Sequence, residues 1–159
     1  MATAIYENIL RNRACAIIMS DNWILLAKQR APTRKGPIWM PPGGGLIFGE
    51  TLQTALKREV FEETGLLVEP GRLLWIHEFI EKPYHAIEFY FECSVAGGAL
   101  KLGRDPERDS DDQILLDLKF ISFKELASLN VYPRFLKNGI IKDGKMPFHL
   151  THVISDAGV

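Results

Sequence analysis

Glu59, Glu62 and Glu63 fall within one stretch, Thr51 to Thr64, that holds neither glycine nor proline. Leu52, Ala55 and Leu56 recur there at helical spacing, with Val60 at the edge of their sector, and Gly65 follows as a C-terminal cap. At about 100° per residue the three acids project to the same side as Leu52, Ala55 and Leu56, while Gln53, Lys57 and Thr64 lie opposite. An apolar stripe faces the protein, so the acids that continue it point inward as well. Clustered, partly desolvated carboxylates repel one another and call for cations. Arg58 supplies one positive charge. A divalent ion supplies more, and hard oxygen donors favour Mg²⁺ or Mn²⁺ over zinc. The acids also occupy the last helical turn, where the dipole disfavours anions by ~0.3–1 kcal/mol each. For the helix alone, a solvated acidic end with Arg58 paired to Glu62 is the competing account.

The loop before this helix adds a second element. Gly43-Gly44-Gly45 lets backbone approach a ligand closely and can aim carbonyl or amide groups at a metal or a phosphate. A glycine triplet alone is equally an ordinary turn. Glu50, at the helix start, complements the dipole there. Joined together, Gly44-x5-Glu50-x7-Arg58-Glu59-Val60-x-Glu62-Glu63-x-Gly65-Leu66 matches every fixed position of the Nudix box, reading GGLIFGETLQTALKREVFEETGL over residues 44–66. The chain therefore resembles the Nudix, or MutT-like, hydrolases. Trp39-x-x-Pro42-Gly43-Gly44 is similar to the family's usual approach to the box, with Pro41 standing where an aliphatic residue is common.

The resemblance implies a hydrolase that cleaves the diphosphate linkage of a nucleoside diphosphate derivative by attack of water on phosphorus, using Mg²⁺ or Mn²⁺. ADP-ribose and other nucleotide sugars, and (d)NTPs including oxidised ones, are the substrate classes it suggests. It assigns metal ligation to Glu62 and Glu63, metal ligation or general-base work to Glu59, and a carbonyl ligand to Gly43. Arg58 and Glu50 correspond to residues that orient the others. A further downstream acid often takes part in such enzymes; Asp112 is the first candidate, with Glu107, Asp109 and Asp111 nearby, and a solvated acidic loop accounts for them too. Lys28, Arg30, Arg34 and Lys35 offer countercharge for a phosphate, Arg30 foremost because it closes a strand. Trp75, His77, Phe79 and Tyr84 could stack on a base or serve as core, and His77 and His85 could contact phosphate or be structural. Two other classes fit the same fold: a nucleotide-sensing module without catalysis, and an isomerase of the isopentenyl diphosphate type. The first is favoured by loss of box glutamates, and none is lost. The second needs a reactive cysteine, whereas Cys15 and Cys93 lie in apolar strands.

These residues need a scaffold, and the rest of the chain outlines one. Ala14–Met19 and Trp23–Ala27 read as a hairpin about Asp21-Asn22. Arg30–Gly36 reads as a loop, and Ile38–Met40 as a short apolar stub before prolines and glycines that exclude regular helix or central strand. Leu73–Ile80 and His85–Val95 read as strands, Gly97–Asp112 as a polar loop, and Ile114–Ile121 as a strand. Ser122 caps a short helix to Leu129 with Glu125 as its capping-box partner, and Tyr132-Pro133 opens a last helix to about Ile141. Asp143–Val159 is weakly patterned. The class is α+β, an α/β/α sandwich with a mixed β-sheet between helices, as one domain over residues 1–159.

Composition bounds the function. The 159 residues are 47% hydrophobic and 25% charged, which excludes disorder, collagen and coiled coil. With 19 Lys+Arg against 20 Asp+Glu, there is no global charge to draw a nucleic-acid polymer or an anionic membrane. The longest apolar runs fall far short of the ~20 residues of a membrane helix, and no signal peptide is visible. Two cysteines provide no disulfide framework. A soluble cytoplasmic protein acting on a small phosphorylated molecule, with homodimerisation left open by the family resemblance, is the expectation.

Overall fold

The computed structural model describes residues 6–104, 109–141 and 149–156. The expected hairpin forms as β1 (Leu10–Ser20) and β2 (Trp23–Gln29), turning at Asp21, whose φ of 50° is one that aspartate tolerates. β3 (Ile38–Met40) follows the basic loop. The glycine triplet makes a short strand of its own, β4 (Gly43–Gly45), antiparallel to β1 through Arg13↔Gly45, Ala14↔Gly44 and Cys15↔Gly43. β4 pairs with β1 alone among the described residues, so its glycines sit at an edge, as such residues must.

Helix α1 spans Leu52–Thr64; the Thr51 side chain accepts from Thr54 N, and Gly65 ends the helix at φ 71°, donating its N–H to Phe61 O. The C-terminal cap stands where the sequence places it, and Thr51 supplies the N-terminal one. Strands β5 (Leu66–Glu81) and β6 (Tyr84–Gly98) extend beyond their apolar cores on both sides, because each stays paired with the other through register shifts. β7 (Leu115–Ser122) leads into α2 (Phe123–Leu126), whose Ser122–Glu125 capping box is present; the helix stops before Leu129, in single turns bonded from Ser128 and Leu129. α3 (Phe135–Ile141) begins after Pro133, and β8 (Thr151–Asp156) lies within the weakly patterned tail.

The sheet runs β3-β2-β1-β6-β5-β8, with β4 beside β1 and β7 beside β2. β1 is parallel to β6 and β5 to β8; the other pairs are antiparallel. Strand alternation deals the core to two faces. Cys15, Ile17, Ile24, Leu26 and Tyr90 join Leu126 and Leu136 of α2 and α3 on one face, while Ala14, Ala16, Ile18, Leu25 and Phe91 join Leu56 and Val60 of α1 on the other. The result is the helix–sheet–helix sandwich expected of the family.

The buried arc of α1 is rotated from the expected one. Ala55, Leu56, Val60 and Thr64 are buried, so its centre lies nearer Val60. Thr64, expected on the outer side, is inside, donating its hydroxyl to Val60 O at 2.6 Å and accepting from Leu66 N at 3.1 Å. The hydroxyl satisfies itself within the chain's own turn, which lets a polar residue occupy a core position. The same rotation leaves Glu62 at the rim, its side chain 56% exposed, with Glu59 and Glu63 half-buried.

Candidate active site

The three acids meet the glycine strand. A methyl group added at Gly44 would lie 2.3 Å from the Glu59 carboxyl, and one added at Gly43, where φ is 148°, would lie 2.2 Å from Ala14 O. Only glycine permits this closeness on both sides. Glu63 Oε2 accepts the Gly43 N–H at 3.0 Å. Desolvation, with Glu59 and Glu62 adding repulsion, pushes the Glu63 carboxyl up to about 7 in spite of that bond and of Arg13.

Arg58 organises the cluster. Its Nε and Nη2 donate to Glu50 Oε1 and Oε2 at 2.7 and 2.9 Å, and Nη2 also donates to Gly45 O at 3.1 Å. Nη1 donates to Glu59 Oε1 at 2.8 Å and reaches Glu62 Oε2 at 3.4 Å. The forked bond from Arg58, followed by the Ile47 N–H, brings Glu50 down to about 2. Behind the helix end, Lys101 N and Gly103 N donate to the Thr64 and Glu63 carbonyls, both at 2.8 Å. The segment after β6 thus satisfies the orphan carbonyls that the acidic last turn leaves.

The glutamates open onto a cleft of about 910 Å³ between the glycine strand, β1 and the basic loop. Arg11 and Arg13 line it from β1, and Phe79, Tyr84, Tyr132 and Arg34 line it as well. Arg34 pairs with Glu81 at 2.7 Å and lies over the rings of Tyr132 and Phe79, 5.6 and 5.9 Å from their centroids. Arg13 is held by Glu88, whose Oε1 it reaches at 2.7 Å through Nη1. Glu88 Oε2 in turn sits 2.8 Å from His77 Nδ1 and accepts from Tyr90 Oη at 2.9 Å.

The sequence candidates divide accordingly. Gly43, Glu59, Glu62 and Glu63 line the cleft, and Arg58 braces Glu59 and Glu62. Arg30 lines the cleft too, but spends Nη1 on the carbonyls of Asp111 and Gln113 at 3.0 and 2.9 Å, pinning the short 3-10 turn Ser110–Asp112. Asp112 lines the cleft on that turn; Asp109 and Asp111 are exposed, and Glu107 lies outside the described residues. Trp75 is core and His77 is buried against Glu88, whereas Phe79, Tyr84 and His85 line the cleft, His85 while paired with Glu78 at 3.1 Å. Cys15 and Cys93 are buried, and desolvation pushes both thiols up to about 12. Sequence reasoning missed Arg11, Arg13, Glu88 and Tyr132. The available signal was Arg11 and Arg13 two residues apart on one strand face, leading directly into the apolar run.

The donor set suits a hard divalent cation in chemistry: carboxylate oxygens, and one acid destabilised by desolvation until a cation relieves it. The side chains lean on protein partners as they stand, and among the described residues no three His, Cys, Asp or Glu side chains form a ready cation cage.

Comparison with known proteins identifies the family and the fold. The profile of the NUDIX domain matches residues 10–138. An ADP-ribose pyrophosphatase of Methanocaldococcus jannaschii is 35% identical over 125 residues, covering 77% of this chain and 72% of that one. An 8-oxo-dGDP phosphatase of Mus musculus is 34% identical over 105 residues, 64% of this chain but only 32% of the relative. Among solved structures, a NUDIX hydrolase from Nitrosomonas europaea superposes with a TM-score of 0.68 at 21% identity, covering 91% of this chain and 79% of that one. An ADP-ribose pyrophosphatase from Streptococcus suis gives 0.63 at 19%, covering 91% and 98%. Box, fold and profile coincide on the same residues, and the chain belongs to the Nudix family of hydrolases.

Proposed function

We propose that the protein is a Mg²⁺- or Mn²⁺-dependent diphosphohydrolase of nucleoside diphosphate derivatives. One observation carries the reading: a single cleft is lined by the carboxylates Glu59, Glu62 and Glu63, the arginines Arg11, Arg13 and Arg34, and the rings of Phe79, Tyr84 and Tyr132. A nucleotide joined through a diphosphate has the matching set of groups: an anion for the arginines and the metal, and a base for the rings. Glu59, Glu62, Glu63 and the Gly43 carbonyl are the atoms that would hold the metal. Such an ion supplies charge neutralisation and lowers the pKa of a bound water.

The chain's own residues do the rest. Arg58 holds Glu59 and Glu50 against the glycine strand, so the carboxylate that orients or deprotonates water has a fixed base. Glu59 and Glu63 are the acids best placed for that proton, both half-buried beside the glycines. Phe79, Tyr84 and Tyr132 offer the base faces and edges to stack on. Asp112 and Arg30 would meet the part of the substrate nearest the 3-10 turn.

ADP-ribose-like and oxidised nucleotide substrates are both supported by the names of the relatives above. No helix among the described residues is long and apolar enough to cross a membrane, and a cytoplasmic setting belongs to the proposal. The same reading accommodates a homodimer, which light scattering measures directly.

The test is a Mg²⁺-supplemented panel of ADP-ribose, NADH, diadenosine polyphosphates, (d)NTPs and 8-oxo-dGTP, with Glu62→Gln as control. Turnover confined to the native protein supports the proposal, and no turnover above the control ends it. Glu59→Gln and Glu63→Gln are each expected to lower kcat at least about a hundredfold; an unchanged rate removes that residue from the site.

A further inference from the structure

Arg13 is a cation whose hydrogen bonding the fold leaves unfinished. A guanidinium carries five N–H donors. In Arg13 one bond is short, Nη1 to Glu88 Oε1 at 2.7 Å, and one is long, Nη2 to Gly43 O at 3.4 Å. Nε is buried and has no acceptor. An unsatisfied buried donor is destabilising, and most native structures avoid it. The side chain is only 13% exposed, so water does little to make up the deficit.

This deficit lies in a particular place. Arg13 lines the cleft on the sheet side, two residues from Arg11, with its Nη2 at the same glycine strand that Glu63 reaches from the helix side. Glu88 does not simply neutralise it. With His77 and Tyr90 on its second oxygen, Glu88 is itself fixed, so it holds the guanidinium in one orientation. A cation that is buried, oriented, lacking acceptors and set beside a cluster of carboxylates fits an anionic ligand that arrives between the two.

We infer that Arg13 binds a non-bridging oxygen of the substrate diphosphate directly, from the sheet side, opposite the acids of α1. The inference rests on the diphosphohydrolase reading and names a residue outside the Nudix box that touches the substrate. The helix-borne glutamates serve the diphosphate only through a cation, whereas Arg13 serves it without one. A guanidinium there also meets negative charge that grows on the phosphoryl oxygens as the bond breaks.

The probe is imidodiphosphate, a diphosphate analogue with a nitrogen bridge, titrated calorimetrically in Mg²⁺ buffer into the native protein and Arg13→Lys. Lysine keeps a charge for Glu88 but lacks the fork, so an affinity about tenfold lower or worse is expected, with KM for a turned-over nucleotide rising in parallel. In the native protein, the ¹⁵N-resolved guanidinium signal of Arg13 is expected to shift saturably with the analogue. Unchanged affinity in Arg13→Lys together with an unmoved Arg13 signal overturns the inference. Should Arg13→Lys not fold, the native signal decides alone: a saturable shift supports the inference and an unmoved signal overturns it. Absence of nucleotide turnover in the native protein ends the diphosphohydrolase reading instead, since neither binding measurement depends on turnover.

Discussion

Arg58 and Arg13 reach the same three-residue glycine strand from opposite secondary structures, and they are used in opposite ways. Arg58, on the helix, donates to Gly45 O and to three glutamates, so that each of its five N–H groups has an acceptor. Arg13, on β1, donates to Gly43 O and to one glutamate, leaving Nε empty. Arg58 is nevertheless the more exposed, 26% against 13% for the side chain. Burial alone therefore does not separate the two arginines; satisfaction does. A saturated guanidinium is part of the frame, and its charge is already committed. An unsaturated one that is denied water retains directed donors for a partner that the fold lacks.

The largest expected effect attacks the counter-ion of Arg13. Burial alone would raise the Glu88 carboxyl, but the His77 hydrogen bond and the Arg13 charge hold it below the usual carboxylate range. A depressed carboxyl contributes stability above its unfolded pKa, near 4.3, and loses that contribution as pH falls through the folded value. Glu88→Gln should destabilise the protein by about 3 kcal/mol at pH 7, because it strands the buried guanidinium. Its acid limb, followed by urea unfolding from pH 7 down to 3, should be flatter than that of the native protein. Parallel limbs would mean that Glu88 titrates alike in the folded and unfolded chains.

Next comes Arg58→Lys. One ammonium cannot serve Glu50, Glu59 and Gly45 together, so kcat should fall about a hundredfold while KM changes little. Arg13→Lys should show the reverse emphasis, on KM. If both variants change the same constant, the division between frame and contact collapses.

Gly44→Ala and Gly43→Ala refine the same division at the backbone. The methyl group at Gly44 meets only the side-chain end of Glu59 rather than backbone, so kcat should fall about tenfold with stability lowered by less than about 1 kcal/mol. At Gly43 the obstacle is the backbone of β1 and φ is positive, so stability should fall by roughly 1–3 kcal/mol. Thermal melts beside steady-state rates distinguish them. The smallest effect belongs to Lys57, on the outer face of α1, whose pair with Glu69 is open to solvent on both sides. Lys57→Ala should cost less than about 1 kcal/mol and leave the kinetics alone, and a larger effect would show that the outer face also supports the site.

The two arginines also mark what the sequence makes legible. Arg58 belongs to a local pattern: Thr51 and Gly65 bracket the helix, and the spacing of Glu50, Arg58, Glu59, Glu62 and Glu63 fits within a few turns. Local hydrogen bonds and helical geometry are enough to read it. Arg13 acquires its meaning from Glu88, 75 positions away, through the parallel register of β1 on β6. Nothing near Arg13 announces that partner, and the apolar run after it reads as ordinary strand. Thr64 shows a smaller failure of the same kind, since a helical wheel has no knowledge of which way the sheet turns it. Sequence ranks Arg30 ahead of Arg34 as a phosphate contact because it closes a strand; only the folded chain shows Arg30 tied to the backbone of the 3-10 turn and Arg34 lying over Tyr132 and Phe79.

The parallel pairing of β1 with β6 carries a consequence in the order of synthesis. A parallel neighbour must return through a long connection, and here that connection contains the glycine strand, α1 and β5. A ribosome therefore delivers the acids and their bracing arginine well before Glu88 exists. During that interval Arg13 has no carboxylate opposite it, and the β1 edge awaiting β6 has no partner. The sheet half waits for Glu88 in the first third of β6, so any truncation or stall before it leaves Arg13 in the cleft without its carboxylate.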